Sequence, residues 1–338
     1  MAACRQMGLS SIGVELTHLG VAIAKTRLQP PDVEMAEHLA KRWAKLAPSN
    51  NYDTLSDELV EWIGEENAGR LQKYLDRLES ISDNSMRAWL EVAISSALRP
   101  SSKWLPGSIK PQVEPSRTPP SLAQNFVRSA HALARDCVLE NISSPSVLAE
   151  VIRGDAQRLS FANETFDAII TSPPYGTMYD YFDVHRLSYL AFEWPCNLEL
   201  QIGKSSRISM DGVGFVPPNA VKSWYHGEYD AEATLEGRTL RAYIQSMSNH
   251  FSEVFRVLRS GGVVVYAVAD SVRSGRRFPL ARAISQLLSE AGFSDVETRP
   301  RKNSSRRILP AGRDLNTGRF SSNARTAVTE KMIWAVKK

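Results

Sequence analysis

Short, continuously apolar runs of strand length alternate with stretches whose apolar residues repeat every three or four positions, and this alternation limits the fold most. After residue 150, VIRGDAQRL and FDAII are strand-like. LRAYIQSMSNHFSEVFRVLR is a long helix ended by Gly261-Gly262, VVVYAVAD is a buried strand, and PLARAISQLLSEAGF is another helix. Strands that are apolar throughout and joined by helices build a mostly parallel sheet covered on both faces, so the expected class is α/β. DVETRPRK and EKMIWAVKK read as closing strands, the last antiparallel. At the front, MAACRQMG is a helix closed by Gly8, and SSIGVEL is a strand ending in Glu15. THLGVAIAKTRLQ is then a helix capped by Thr17 and stopped by Pro30-Pro31.

Residues 32–100 break this alternation. VEMAEHLAKRWAKL, LSDELVEWIG, ENAGRLQKYLDRLES and SMRAWLEVAISSAL all show helical spacing, with Trp43, Trp62 and Trp89 placed to pack a core. The Pro- and Ser-rich run from Pro100 to Pro120 reads as a linker, and LAQNFVRSAHALARDCVLEN as a helix leading back. The expected organisation is an α/β core begun by residues 1–29, a helical insertion over 30–145, and the rest of the core over 146–338.

Composition closes off other classes. With 43% apolar and 23% charged residues, the chain is neither disordered nor fibrous. It holds no apolar stretch of membrane-spanning length, and MAACRQMGLSS has no signal-peptide character, so no membrane association is expected. Cys4, Cys137 and Cys196 are too scattered for a disulfide framework or a zinc site, which suits a cytoplasmic protein and implies no metal. The formal charge of +4 conceals an imbalance: residues 1–250 carry −6 and residues 251–338 carry +10. A basic excess of this kind is the footprint of a nucleic-acid partner, a solvated basic face being the competing reading.

The chemistry concentrates in Thr171-Ser172-Pro173-Pro174-Tyr175, directly after the strand FDAII. Ligands of open α/β sheets bind beyond the carboxyl ends of strands. Two prolines there stiffen the chain and remove two N–H donors, leaving carbonyl acceptors. Ser172 adds a hydroxyl and Tyr175 an aromatic face. The set suits a planar heterocycle with an exocyclic amine, stacked on Tyr175, its amine hydrogens accepted by Ser172 Oγ and the Pro173 carbonyl. Drawing on those hydrogens localises the nitrogen lone pair and makes the amine a nucleophile.

This motif resembles that of the amino-group DNA methyltransferases, which use S-adenosylmethionine to methylate cytosine N4 or adenine N6. Ser-Pro-Pro-Tyr is the version usual for cytosine N4, and Asp- or Asn-Pro-Pro-Tyr for adenine N6. Other elements follow in the family's order. Glu15 resembles the acid that holds the cofactor's ribose hydroxyls, and Asp155 in GDAQRL the acid near its adenine. FRVLRSGGVVV resembles the helix–Gly-Gly–strand that follows the catalytic strand. The resemblance covers roughly residues 1–29 and 150–338. It implies a Rossmann-like S-adenosylmethionine methyltransferase sheet, mostly parallel with an antiparallel last strand, interrupted by the helical insertion. It also implies a double-stranded DNA substrate with the target base flipped out, nucleoid association, and a setting such as restriction-modification. Ser172, Pro173, Pro174 and Tyr175 would be catalytic, and Glu15 and Asp155 cofactor-binding.

The family's Gly-rich loop, approximately Asp-Pro-Phe-x-Gly-x-Gly-Thr, has no counterpart here. The expectation is that an N-terminal fragment or upstream-encoded segment completes the cofactor site. Target recognition is expected in 30–145 or 197–237. Tyr179, Tyr181, Phe182, His185 and Tyr189 read either as lining for a flipped base or as aromatic packing. The basic runs 273–277 and 299–307 read as phosphate contacts or as solvated charge. Adenine-N6 methylation, RNA methylation and a non-catalytic DNA-binding remnant remain alternatives. A cytosine-C5 enzyme fits poorly, because Glu140-Asn141 precedes Pro195-Cys196 where such an enzyme needs it after.

Overall fold

A computed structural model describes residues 1–108, 110–139, 147–174, 181–196, 200–203, 235–273, 276–301 and 330–338. They group into two compact units: 1–154 with 180–197, and 155–179 with 198–338. Among the described residues no helix is long and apolar enough to cross a membrane.

In the first unit, helix α1 (Ala2–Gln6) leads through Gly8, which adopts a positive φ of 71°, into strand β1 (Ser11–Glu15). Helix α2 (His18–Leu28) starts where Thr17 Oγ1 accepts the Gly20 N–H at 3.1 Å. Four further helices follow: α3 (Val33–Ala44), α4 (Asp57–Ile63), α5 (Glu65–Glu79) and α6 (Asn84–Leu98). Asp32, Ser56 and Asp83 cap α3, α4 and α6 through backbone N–H groups two or three residues on. These helices and α7 (Leu122–Leu139) enclose a core around Trp43, Trp62, Tyr74, Trp89 and Phe126. Strand β2 (Ala149–Arg153) pairs in parallel with β1, Ser11 opposite Ala149 and Glu15 opposite Arg153.

The Pro- and Ser-rich run is no loose tether. Trp104 is buried, bridges to Val113, lies under the Arg99 guanidinium at 4.6 Å, and donates its indole N–H to Ser108 O at 2.9 Å. Asn67 of α5 anchors both ends of the run: Nδ2 contacts the carbonyls of Ile63 (3.0 Å), Ser101 (3.1 Å) and Pro120 (3.0 Å), while Oδ1 accepts the Leu122 N–H (2.9 Å).

The second unit carries strands β3 (Phe166–Thr171), β4 (Leu258–Ala269), β7 (Ser294–Pro300) and β8 (Glu330–Val336) in the order β3-β4-β8-β7, plus the hairpin β5 (Ser271–Arg273) and β6 (Arg276–Phe278). Between the first unit's α7 and this sheet's long helix, the chain forms the short helices α8 (Tyr181–Val184) and α9 (Arg186–Ala191), which belong to the first unit. Helices α10 (Leu235–Val257) and α11 (Leu280–Glu290) pack with Val264, Tyr266, Val268, Ile333 and Ala335 in one core. The register places Ile170, Val265 and Trp334 in one row on the sheet's other side, where Ile170 is 72% and Trp334 48% exposed.

The mixed α/β character and the antiparallel last strand stand. Among the described strands β1–β2 and β3–β4 pair in parallel, β8 runs antiparallel to both β4 and β7, and the strands fall in separate small sheets. One expectation needs correction: Gly261-Gly262 do not end the long helix. It ends at Val257, and the glycines form a bulge within β4: Phe166 faces Leu258, yet Ala168 already faces Val263. Gly261 there has a φ of 76°, and a Cβ on Gly262 would sit 2.7 Å from Leu258 Cγ.

Candidate active site

Strand β3 delivers Ser172 just past its last residue, Thr171, which lies in register with Tyr266 of β4. Ser172 is exposed, and its Oγ donates to the Ala267 carbonyl at 2.9 Å. A serine hydroxyl has one hydrogen and two lone pairs, so with the hydrogen committed to β4 the oxygen faces solvent as an acceptor. Pro173 is buried, and Pro174 half-buried. Neither has an N–H to offer, and among the described residues no backbone N–H binds their carbonyls. The end of β3 is therefore a rigid display of acceptors. Tyr175 lies outside the described residues.

Asp155 opens a turn in the same unit. Its Oδ1 accepts the Gln157 N–H at 3.0 Å, and its carbonyl accepts the Arg158 N–H at 2.9 Å. Three side chains of α10, at positions 250, 253 and 256, fasten the following segment. His250 Nδ1 binds the Ala156 carbonyl at 2.9 Å, and Glu253 Oε2 accepts the Leu159 N–H at 2.8 Å. The Arg256 guanidinium reaches the carbonyls of Leu159 (2.8 Å) and Phe161 (2.7 Å), Asn163 Oδ1 (3.0 Å) and both Glu253 oxygens (2.9 and 2.8 Å). That contact holds the Glu253 carboxyl below the usual carboxylate range. These three residues escaped the sequence reading. Their signal was polar spacing of three residues along one helix.

Glu15 lies in the first unit. Its Oε1 accepts both the Thr17 N–H (2.8 Å) and the Thr17 hydroxyl (2.7 Å), which seats the carboxylate at the start of α2. Gly20 leaves room for it, since a Cβ there would lie 2.6 Å from Glu15 Cγ and Cδ. Glu15 is half-buried, and its Oε2 takes no hydrogen bond from the described residues.

No family model matches this chain, and no curated protein matches it. Among the solved structures similar to it are three crystals. These three are of one provisionally assigned DNA modification methylase from Thermus thermophilus: a selenomethionine derivative, a complex with S-adenosyl-L-methionine, and a third crystal. Identities are 19%, 20% and 18%, with TM-scores of 0.25, 0.26 and 0.25. The match covers 54% of this chain and 50%, 53% and 52% of theirs, so it spans about half the length of the structures it resembles. At these values the likeness is distant and fixes neither family nor activity.

The remaining candidates divide. Phe182 and Tyr189 are buried and meet edge-on at 4.9 Å, and Trp194 stacks between Phe192 (4.5 Å) and His18 (5.6 Å), so the described aromatics of this segment pack against one another. Burial pushes the Tyr189 phenol up to about 12 and lowers His185 below its ordinary value. Tyr179 and the Tyr181 side chain lie outside the described residues. In the basic runs, Arg299 pairs with Glu297 at 2.7 Å and Arg301 with Glu330 at 3.0 Å, which spends two of the cations locally. The side chains of 273–277 and residues 302–307 lie outside the described residues.

Proposed function

We propose that this chain is an S-adenosylmethionine-dependent methyltransferase that modifies the exocyclic amine of a base flipped out of double-stranded DNA, cytosine N4 by preference. The carrying observation is the Ser172 hydroxyl, whose hydrogen is held by Ala267 O at 2.9 Å, so that its oxygen accepts and does not donate. An amine is the complementary ligand. When bound, S-adenosylmethionine supplies an electrophilic methyl group on a cationic sulfur. Glu15, with Oε1 bound at the start of α2, and Asp155, with its carboxylate held in a turn, are assigned to the hydroxyl and amine donors of its nucleoside.

The chain's residues act on the base. Base pairing and stacking hide the amine in the duplex, so the base must leave it. Ser172 Oγ takes one amine hydrogen and the Pro173 carbonyl takes the other, which draws the lone pair out of conjugation and aims it along one direction. Tyr175 is assigned the ring's stacking face. The contribution is orientation within a preorganised polar site, with the proline pair holding the acceptors still. Residues 251–338, with their +10 charge, support binding to the phosphate backbone. The Ser at the motif's first position favours cytosine over adenine.

The test is transfer of a radiolabelled methyl group from S-adenosylmethionine to duplex DNA, followed by digestion to nucleosides. N4-methylcytosine is expected, and Ser172→Ala should lower the rate about 10²-fold or more at an unchanged melting temperature. Near-normal transfer by that variant refutes the role of Ser172, and N6-methyladenine as the product refutes the choice of base.

A further inference from the structure

The turn that carries Asp155 and the serine at the end of β3 are joined by hydrogen bonds through His250 and Tyr266 and by the backbone of β4. The Ala156 carbonyl can only accept, so the His250 Nδ1 that binds it at 2.9 Å carries the proton. His250 Nε2 is then bare and accepts the Tyr266 hydroxyl at 2.9 Å. Tyr266 is fully buried on β4, in register with Thr171, and the next residue's carbonyl, Ala267 O, holds Ser172 Oγ at 2.9 Å. Burial keeps both rings neutral, lowering His250 and raising Tyr266 from their ordinary values. Both residues are buried, and neither has a role in the chemistry proposed above.

We infer that His250 and Tyr266 are positioning residues that fix the Asp155 turn against the strand holding Ser172, so that the cofactor acid and the amine acceptor keep one mutual geometry. The inference rests on the proposed function for what the two ends do, but the coupling itself is a property of the fold. A histidine with two directional partners, one on a turn and one on a strand, sets a distance that an apolar residue of equal volume does not. Its neighbours Glu253 and Arg256 hold the segment from Leu159 onward, and of these three side chains His250 is the one bonded to the turn itself.

Three variants of the full chain separate positioning from packing. His250→Phe removes both bonds, His250→Asn keeps a donor at the Nδ1 position, and Tyr266→Phe removes the phenol alone. The first readout is amide hydrogen exchange at Gln157, whose N–H is bound by Asp155, with the β8 amide of Ile333 as reference. His250→Phe should speed Gln157 exchange at least tenfold more than Ile333 exchange, and His250→Asn should restore it to within about threefold of wild type. Equal acceleration at both amides, or no rescue by Asn, overturns the inference. The second readout is the KM for S-adenosylmethionine against kcat: His250→Phe should raise KM with little change in kcat, and unchanged KM overturns the link to the cofactor. A wild-type chain that transfers no methyl group fails the proposed function, while the exchange data still decide the positioning.

Discussion

Replacing Lys337 by Met takes a charge away from the carboxyl end of α10. The ammonium is almost enclosed and donates to the carbonyls of Phe255 at 2.9 Å and Leu258 at 2.8 Å, with its charge 4.8 Å from the Phe255 ring centre. Hydrogen bonds from a charged donor contribute about 1.5–3 kcal/mol each, and a cation at a helix C-terminus about 0.3–1 kcal/mol more. The 3.5 Å contact with exposed Glu164 adds nothing measurable. Against this stands the desolvation of the ammonium, which the variant recovers, while Met keeps the buried stem. The net loss should be about 2–4 kcal/mol. β8 lies between β4 and β7, so its amides open only when this sheet opens, and the loss should accelerate Ile333 exchange about 30- to 700-fold. The Ile94 amide, in the core of the other unit, serves as the internal reference. Acceleration below about threefold would refute the claim that this ammonium holds the end of the helix.

Three further outcomes follow from the contacts above. Asn67→Ala should cost about 2–4 kcal/mol in urea unfolding followed by circular dichroism, because it strips partners from three carbonyls and from the Leu122 N–H; a loss under about 1 kcal/mol would show that water replaces the amide. Gly20→Ala should gain none of the ~1 kcal/mol usual for that change in a helix, because the new Cβ displaces Glu15 from the start of α2. Its thermal midpoint should stay level or fall, and its KM for S-adenosylmethionine should rise. Glu253 has a lowered folded pKa, first through its hydrogen bonds to Arg256, so its contribution is present above the unfolded carboxylate pKa and is lost as pH falls through the folded value. Protection of the Leu159 amide should therefore fall in acid, below the usual carboxylate range, and Glu253→Gln should abolish that pH dependence.

Local signals were legible in the sequence where the cause was local. Thr17 caps α2, Gly8 takes the positive φ after α1, and Ser172 follows the last residue of an apolar strand, all as the residue types dictate. Non-local causes misled the reading. Gly261-Gly262 looked like a helix stop because a glycine pair reads the same before a strand as within its bulge, and the partner that decides, Phe166, lies far away in sequence. The Pro- and Ser-rich run looked like a linker because nothing in it announces Asn67, which holds it from α5. Strand pairing is likewise long-range, so apolar runs alone do not say which strands are neighbours. Glu253 and Arg256 were hidden because half of their hydrogen bonds go to backbone groups, which leave no trace in residue type.

The bond from Ser172 to Ala267 also determines what the proposed site refuses. Thymine shares the pyrimidine ring of cytosine but carries a carbonyl oxygen where cytosine carries its amine. Placed at the end of β3, that oxygen would set its lone pairs against those of Ser172 Oγ. Turning the hydroxyl to meet it would leave Ala267 O without its hydrogen. A site built around one polarity disfavours the opposite one. In the proposed site, discrimination between two bases of nearly equal shape would rest on a hydrogen bond that neither base touches.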